Sequence, residues 1–298
     1  MSTKLEYTMR FFSIPLVLLF GCSVLHSQGR LLEKEVVDSE ILGEGSNYSI
    51  YLPEGYDCDT RLYPVLYLLH GFTDDDSGWT QFGEVHLAAN QMFGQGEVSP
   101  MIIVMPDAGL SWYVNDDLGE MRFEEYFFEE LIPHIESTYR VRTERQYRAI
   151  AGLSMGGFGS LLYALKHPDM FSAACPLSAA VRTDEQMLSM DQARWDFVFG
   201  LPFAEGASGE DRLSDHYLTN SPLKIIMDSE PNQYSSVAFY IDCGDDDYLL
   251  DGNLTLNCVM REKGIAHEFR VRDGGHTWTY WRTALPEVFK FVIARFRR

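Results

Sequence analysis

The chain has 298 residues, of which 46% are hydrophobic and 23% are charged, a composition typical of a folded globular protein. Its 44 acidic and 24 basic residues give a formal net charge of −20. Nucleic-acid binding requires clustered Lys and Arg to neutralise phosphates, and because the sequence has no such cluster we expect no nucleic-acid partner.

The first 28 residues are typical of a secretory signal peptide. A basic start precedes the apolar run at residues 11–20, which is shorter than the about 20 apolar residues that a membrane-spanning helix needs. The sequence LFGC at residues 19–22 resembles a bacterial lipobox, in which Cys22 would be lipidated, and we favour this interpretation over ordinary cleavage near residues 26–29. We therefore expect an exported protein, either a periplasmic or outer-membrane-anchored lipoprotein or a secreted one. Membrane contact is expected only through a lipid on Cys22.

From residue 30 to residue 298 the sequence predicts one domain, in which apolar strands alternate with amphipathic helices. This alternation is typical of an α/β fold with a mostly parallel sheet and helices on both faces. The predicted strands occupy residues 35–53 (two strands around a turn at 43–46), 63–69, 101–105, 147–152, 171–176, 237–241 and 267–271. The predicted helices occupy residues 123–139, 155–167, 250–263 and 283–296.

Residues 182–236 interrupt the alternation between two late strands. A crossover between parallel strands needs only a helix, whereas this connection is longer and carries acidic, proline-containing and aromatic patches. Long insertions inside compact domains usually form lids or binding loops, so we predict a lid-like insertion here. A surface excursion without a function is the alternative.

The sequence AGLSMGGFGS at residues 151–160 places Gly152, Ser154 and Gly156 at the spacing G-x-S-x-G. The pattern lies between a predicted strand and a predicted helix, which is the context that a nucleophile turn requires. Glycines are expected there because side chains at those two positions would collide with neighbouring elements. We predict Ser154 as a nucleophile, with the N–H of Met155 at the helix start as one oxyanion donor.

A serine hydroxyl needs a base, and in this arrangement the chain order is serine, acid, histidine. His276 follows two glycines in the loop after the last predicted strand, from which an imidazole can reach the serine. The other histidines downstream of Ser154 lie at a helix end, in the insertion and inside a strand. We therefore predict His276 as the general base.

The acid is expected just after the strand that precedes this histidine, where residues 241–247 read IDCGDDD. Asp242 precedes the glycine and is expected to lie still in the strand. Asp245 and Asp246 are expected in the turn, whereas Asp247 is far enough along the chain to reach back to the imidazole. Asp247 is the predicted acid, and Asp245 and Asp246 are the alternatives.

A second oxyanion donor is expected after the early strand at residues 63–69, where the sequence continues His70-Gly71-Phe72. The backbone N–H of Phe72 is the candidate that would act together with the N–H of Met155. His70 itself is expected to have a structural role.

Five segments together resemble the "Putative esterase" (esterase D-like) family of α/β-hydrolases, which includes feruloyl and acetyl xylan esterases. The segments are LYLLHGFTDDDSGW (66–79), MPDAGLSWYVN (105–115), AGLSMGGFGSLLYAL (151–165), YIDCGDDDYLL (240–250) and DGGHTWTYW (273–281), within a match over residues 35–298. The resemblance implies Ser154 as nucleophile, His276 as base and Asp247, the third aspartate of its run, as acid. It places the oxyanion positions on Phe72 and Met155. It also implies an α/β-hydrolase fold and two-step acyl transfer that needs no cofactor.

The remaining motifs indicate neither a metal nor a defined substrate. The aspartate runs at residues 74–76 and 245–247 do not match the EF-hand spacing, and no cysteine spacing matches a zinc site, so we predict no metal. Trp112 and Trp278 lie in predicted loops near the site and are candidates for stacking on sugar or feruloyl rings. Packing within the lid is the alternative for both residues.

The leader and the resemblance together predict an exported serine esterase that removes feruloyl or acetyl groups from plant polysaccharide. Its expected partner is an ester substrate linked to carbohydrate. An esterase for simple short-chain or siderophore esters is the first alternative. A non-catalytic carbohydrate-binding relative is the second, and it is disfavoured because Ser154 and His276 are both present.

Overall fold

The computed structural model describes residues 28–230 and 232–296. Residues 1–27 of the predicted signal peptide, with the candidate lipidation site Cys22, lie outside the described residues. Within the part of the chain that the structure describes, none of the helices has both the length and the hydropathy needed to cross a bilayer.

The described residues form one eight-stranded sheet. Its strands are β1 (Arg30–Asp38), β2 (Gly45–Leu52), β3 (Val65–Leu69), β4 (Ile102–Pro106), β5 (Arg148–Leu153), β6 (Ala173–Leu177), β7 (Ala238–Gly244) and β8 (His267–Arg272). They lie in the order β1-β2-β4-β3-β5-β6-β7-β8. The β1–β2 and β2–β4 pairs are antiparallel and all other neighbouring pairs are parallel, which confirms the predicted mostly parallel sheet.

Helices cover both faces of this sheet, also as predicted. Among the described residues they are α1 (Gly78–Gln81), α2 (Val85–Gly94), α3 (Phe123–Tyr126), α4 (Ile132–Thr138), α5 (Met155–Lys166), α6 (Asp184–Leu188), α7 (Gln192–Trp195), α8 (Leu201–Phe203), α9 (Asp215–Thr219), α10 (Pro222–Met227), α11 (Leu250–Glu262) and α12 (Trp278–Phe296). One turn of π-helix, Phe127–Leu131, joins α3 to α4, and another, Asp196–Gly200, joins α7 to α8.

The central strands are apolar throughout because each of their two faces packs against a layer of helices. Every residue of β3, β4, β5 and β6 is buried. Side chains alternate between two cores, so that Ile150 of β5 packs with α3, α4, α5 and the insertion, whereas its neighbour Ala151 packs with α1, α2 and α12. Such continuous apolar runs are typical of parallel strands buried on both faces.

The structure differs from the predicted elements at several helices, of which α12 and α2 are the longest. The last helix begins at Trp278, five positions before the predicted start, because Tyr280 and Trp281 are buried against the sheet rather than held in a loop. Helix α2 was not predicted; its buried residues pack on α12. The insertion at residues 182–236 lies between β6 and β7 and contains helices α6 to α10.

Candidate active site

Ser154 lies in the turn between β5 and α5 with φ 55° and ψ −114°, a conformation that residues other than glycine rarely adopt. Two backbone hydrogen bonds fix this strained residue to the segment that ends β6. The N–H of Ser154 donates to the carbonyl of Leu177 at 2.9 Å, and its own carbonyl accepts from the N–H of Ala180 at 3.0 Å. The sheet therefore determines where the hydroxyl points.

The two glycines around Ser154 are required by close backbone contacts. A Cβ on Gly152 would lie 2.3 Å from the carbonyl oxygen of Gly156, and a Cβ on Gly156 would lie 2.4 Å from that of Leu69. Because backbone atoms cannot move away as a flexible side chain can, neither position has room for a side chain. This is the steric reason that the sequence pattern predicted.

His276 bridges the serine and an aspartate. Its Nε2 lies 3.0 Å from Ser154 Oγ, and its Nδ1 lies 2.9 Å from Asp247 Oδ2. An ionised carboxylate only accepts hydrogen bonds, so the ring proton is on Nδ1 and Nε2 can accept the proton of the serine. The structure thus brings together the three predicted triad residues, although Ser154 and His276 are 122 positions apart in the chain.

Asp247 is held ionised by its surroundings. Its Oδ1 accepts the N–H of Leu249 at 2.9 Å, and the hydroxyl of Ser178 is a further hydrogen-bond partner. Burial raises the pKa of Asp247, but the hydrogen bonds from His276, Leu249 and Ser178 outweigh burial and hold the pKa below its ordinary value. A negative carboxylate therefore faces the imidazole at neutral pH.

The neighbouring aspartates have other partners. Asp245 accepts the N–H of Gly274 at 2.9 Å, and the N–H of Asp246 donates to the carbonyl of Gly274 at 3.0 Å. The buried carboxylate of Asp242 binds the guanidinium of Arg272 at 2.9 and 3.0 Å. Asp245 and Asp246 therefore hold the loop that carries His276 rather than the imidazole itself.

Ser178 and Trp281 contact the predicted acid, Asp247, and the predicted base, His276. The indole N–H of Trp281 donates to Ser178 Oγ at 3.0 Å, and the ring of Trp281 meets the imidazole of His276 edge-on at 4.8 Å. Trp281 thus contacts the predicted base directly and the predicted acid, Asp247, through Ser178. The sequence reasoning missed Ser178, although its place directly after β6, at the carboxyl edge that carries Ser154, was a usable signal.

Met155 follows Ser154 in the chain, and the loop that carries Phe72 packs beside Ser154 in the fold. Met155 is the first residue of α5, so its N–H has no acceptor within the helix. The loop before Phe72 passes over the serine, since a Cβ on Gly71 would lie 3.6 Å from Ser154 Cβ. The oxyanion role of Phe72 and Met155 stays a prediction.

His70 orients the peptide group that carries the N–H of Phe72. Its Nε2 accepts the N–H of Ala108 at 2.8 Å, so the ring proton lies on Nδ1, which donates to the carbonyl of Gly71 at 2.8 Å. That carbonyl and the N–H of Phe72 belong to one planar peptide unit. This arrangement agrees with the expected structural role of His70.

Trp112 does not have the exposed face that substrate stacking requires. The residue is only 2% exposed, its indole N–H donates to the carbonyl of Val198 at 2.8 Å, and its ring lies 4.5 Å from that of Phe199. The expectation of a substrate contact is therefore corrected to packing of the insertion onto the domain. Trp278 is half-buried against Trp79, and its proposed substrate contact stays a prediction.

Two exposed aromatic rings lie near the predicted site, one beside the triad and one beside Phe72. Phe197 of the insertion is 68% exposed and meets Phe72 edge-on at 5.5 Å. Tyr248 is 61% exposed and its ring lies 4.6 Å from that of His276. The sequence reasoning missed Tyr248, although it directly follows Asp247.

The carboxylates of Asp245, Asp246 and Asp273 lie within 4.8 Å of one another at exposed positions. Exposed acidic groups of this kind are common without an ion, and the expectation of no metal stays a prediction. Of the described cysteines, Cys58, Cys175, Cys243 and Cys258 are free thiols.

The strained serine turn after a central strand, with an imidazole and a carboxylate delivered from the loops after later strands, defines an α/β-hydrolase. The profile of the family described as "Putative esterase" matches residues 39–292. The chain belongs to this family, as the sequence resemblance predicted.

Individual relatives agree with this assignment. An esterase of Mycobacterium tuberculosis is 31% identical over 280 residues, which cover 86% of this chain and 57% of that protein, so the chain spans little more than half the length of this relative. An acetyl esterase of Caldicellulosiruptor saccharolyticus is 26% identical over 247 residues, which cover 79% of this chain and 85% of that protein. The solved structure of a ferulic acid esterase is 35% identical, covers 90% of this chain and 99% of its own, and superposes with a TM-score of 0.78.

Proposed function

We propose that this protein is an exported serine carboxylic-ester hydrolase that removes feruloyl or acetyl groups from plant polysaccharide. The observation that carries the chemistry is the continuous hydrogen-bonded path from Ser154 Oγ through His276 to Asp247, with distances of 3.0 and 2.9 Å. Membership of the esterase family and the likeness to a ferulic acid esterase support the choice of ester bonds.

In the first half of the proposed reaction, His276 Nε2 takes the proton of Ser154 while Oγ forms a bond to the ester carbonyl carbon. The carbonyl electron pair moves onto oxygen, where the N–H groups of Phe72 and Met155 stabilise the negative charge. When the intermediate collapses, the bond to the alcohol oxygen breaks and that oxygen takes the proton from His276. The acyl group then remains on Ser154.

In the second half, a water molecule replaces the alcohol. His276 accepts a proton from water as the water oxygen attacks the acyl carbon, and it returns that proton to Ser154 Oγ when the carboxylic acid leaves. Asp247 keeps the imidazole in the required tautomer and stabilises its positive charge in both steps. These steps need no cofactor.

The exposed rings of Phe197 and Tyr248 support an acyl or alcohol group that presents a flat face. Phe197 adjoins the predicted oxyanion residue Phe72, so a feruloyl ring bound on the acyl side could pack against it. A second candidate, hydrolysis of simple short-chain esters, is favoured by the similarity to an acetyl esterase.

The first experiment compares the purified protein with Ser154→Ala on p-nitrophenyl acetate. Loss of the nucleophile is expected to lower kcat by about 10⁴-fold or more. A matched thermal unfolding curve for the two proteins shows that the variant is folded. If the two proteins release p-nitrophenol at the same rate, the proposal is wrong.

A substrate panel then tests the acyl group. Methyl ferulate, acetylated xylan and a trilactone siderophore represent the proposed substrates and the alternatives. Phe197→Ala is expected to lower kcat/KM for methyl ferulate about tenfold more than for p-nitrophenyl acetate, because only the first substrate presents a ring on the acyl side. An equal effect on both substrates would exclude a ring-binding role for Phe197.

Export is proposed from the leader alone. The mass of the mature N-terminus, after expression of the whole chain in a bacterial host, distinguishes a lipid-modified Cys22 from cleavage near residues 26–29. Retention of residues 1–28 in the mature protein would contradict both.

A further inference from the structure

Two arginines near the active site have no acidic partner among the described residues. Arg182 is partly buried, and its Nε has no exposed surface and no hydrogen-bond partner. Arg194 lies on the exposed side of α7, and within residues 28–230 and 232–296 its guanidinium makes no hydrogen bond or ion pair. Because the chain has an excess of acidic residues, two unpaired guanidinium groups at one place need an explanation.

Arg212, in the same insertion, is an example of an arginine whose guanidinium is fully hydrogen-bonded within the fold. Its guanidinium donates to the carbonyls of Met187 at 3.1 Å, Met190 at 2.5 Å and Ala207 at 3.2 Å, and to Gln192 Oε1 at 2.9 Å. Every edge of that guanidinium is used within the fold. Among the described residues Arg182 has no such acceptors; its Nε is enclosed, and the donors open to a ligand are those of its two terminal amino groups.

The position of Arg182 is fixed relative to the triad. It follows Ala180 by two residues, and the N–H of Ala180 donates to the carbonyl of Ser154. The intervening residue, Val181, packs so closely on α11 that a Cβ on Gly252 would lie 2.0 Å from its carbonyl oxygen. The backbone at Arg182 therefore cannot move far from the serine.

Tyr248 connects the two arginines to His276. Its ring lies 4.6 Å from the imidazole. Burial and the negative charge of Asp247 raise the pKa of the Tyr248 hydroxyl, while the positive charges of Arg182 and Arg194 act on the same hydroxyl in the opposite direction. Both guanidinium groups are thus near enough to the Tyr248 hydroxyl to act on it electrostatically.

The chemistry of ester cleavage indicates which portion of the substrate Tyr248 and the two arginines face. His276 must deliver its proton to the oxygen of the departing alcohol, so groups that lie beside His276 flank the alcohol portion of the ester. The amides of Phe72 and Met155, by contrast, are predicted to hold the carbonyl oxygen. Tyr248 and the two arginines therefore adjoin the alcohol and not the acyl group.

We propose that Arg182 and Arg194 bind a carboxylate carried by the alcohol portion of the ester, as in an O-acylated uronic acid. A planar guanidinium can donate two parallel hydrogen bonds to a carboxylate, and Tyr248 offers a flat face for the ring that carries it. This inference rests on the proposed esterase function and specifies the alcohol that the same site recognises.

The test compares two acetyl esters of the same shape, 4-acetoxybenzoate and 4-acetoxybenzamide, which differ in the charge of the alcohol portion. Arg182→Gln is expected to lower kcat/KM for the anionic ester about tenfold more than for the amide, the effect of one charged hydrogen bond. Arg194→Gln, at an exposed position, is expected to change the ratio in the same direction. The preference of the unmodified enzyme for the anion should weaken as salt is added.

Arg261→Gln is the matched control, because it removes the same charge from an exposed position in the last turn of α11, at the end of the helix away from Asp247. It should leave the ratio unchanged. If Arg182→Gln and Arg194→Gln also leave the ratio unchanged, or lower both rates equally, the anion site is excluded while the esterase function stands. If the unmodified enzyme hydrolyses neither ester nor p-nitrophenyl acetate, the proposed function itself fails.

Discussion

The nucleophile turn and the insertion at residues 182–236 contact the same active site but are held in place by different kinds of bonds. The turn is fixed by backbone atoms: the N–H and carbonyl of Ser154 are bound by Leu177 and Ala180, and the flanking glycines touch backbone carbonyls. In the insertion, side chains take part: Arg212 binds several carbonyls within it, and the indole of Trp112 binds the carbonyl of Val198.

Because of this difference, we assign the chemical step to the turn and substrate selectivity to the insertion. A single substitution in a turn that backbone contacts hold in place disrupts the turn itself. The nucleophile geometry is therefore expected to be the same for every ester substrate. A segment fixed by side chains can be altered residue by residue while the sheet remains intact. We therefore expect substitutions at the turn and triad to affect all substrates alike, and substitutions in the insertion to affect stability or substrate choice.

After removal of the nucleophile itself, Asp247→Asn should produce the greatest loss of activity. The amide leaves the fold intact but favours the wrong imidazole tautomer, so kcat is expected to fall by about 10³- to 10⁴-fold for every ester tested. Steady-state kinetics on p-nitrophenyl acetate and methyl ferulate measure the change. A loss confined to one of the two substrates would contradict the assignment of Asp247 to the chemical step.

Arg212→Met should act on the insertion rather than on the triad. It leaves several buried carbonyls without donors, so we expect a loss of about 3 kcal/mol in the stability of this segment. Hydrogen exchange should increase in residues 182–236 before it increases in β5 or α5. Arg212→Lys, which keeps the charge and part of the bonding, should lose less. Uniform exchange throughout the chain would show that the insertion is not a separate unit.

Ser178→Ala tests the support behind the acid, and we expect kcat to fall about tenfold. The hydroxyl of Ser178 helps to lower the pKa of Asp247, so its contribution to stability is present above the ordinary pKa and is lost as pH falls through the folded value. Without Ser178 the folded pKa rises toward its ordinary value, so the variant should be less stable above that value and should lose less stability as the pH falls.

Trp281→Phe tests the hydrogen bond that the indole of Trp281 donates to Ser178. It keeps the edge contact with His276 and removes the indole N–H that Ser178 accepts. Its effect on kcat should be smaller than that of Ser178→Ala. If Trp281→Phe lowers kcat more, the ring contact and not the hydroxyl positions the triad.

The smallest effect is expected at Asp74, which follows the loop of Phe72. Burial, together with the charge of Asp75, raises the pKa of Asp74 from 3.8 to about 6. Between these values the folded protein keeps a proton that the unfolded chain has lost, so stability present below about pH 4 decreases as pH rises through about 6. Asp74→Asn should raise Tm at neutral pH and not near pH 4, without a change in substrate choice. An equal gain at both pH values would contradict the raised pKa.

The sequence by itself determined the features that depend on neighbouring residues. A strand, a G-x-S-x-G turn and a helix are consecutive, so Ser154, its glycines and the alternation of a parallel sheet could be read directly from the chain. The glycine pair that precedes His276 likewise placed it in a loop after the last strand.

Only the tertiary structure decided the features that depend on contacts between distant segments. Three adjacent aspartates differ by their partners: Asp245 and Asp246 bind the loop at Gly274, and Asp247 faces the imidazole. Trp112 is covered by the insertion, and Ser178 reaches Trp281 across the sheet edge. Local patterns cannot contain this information, because burial and hydrogen bonding at these positions are set by residues tens of positions away.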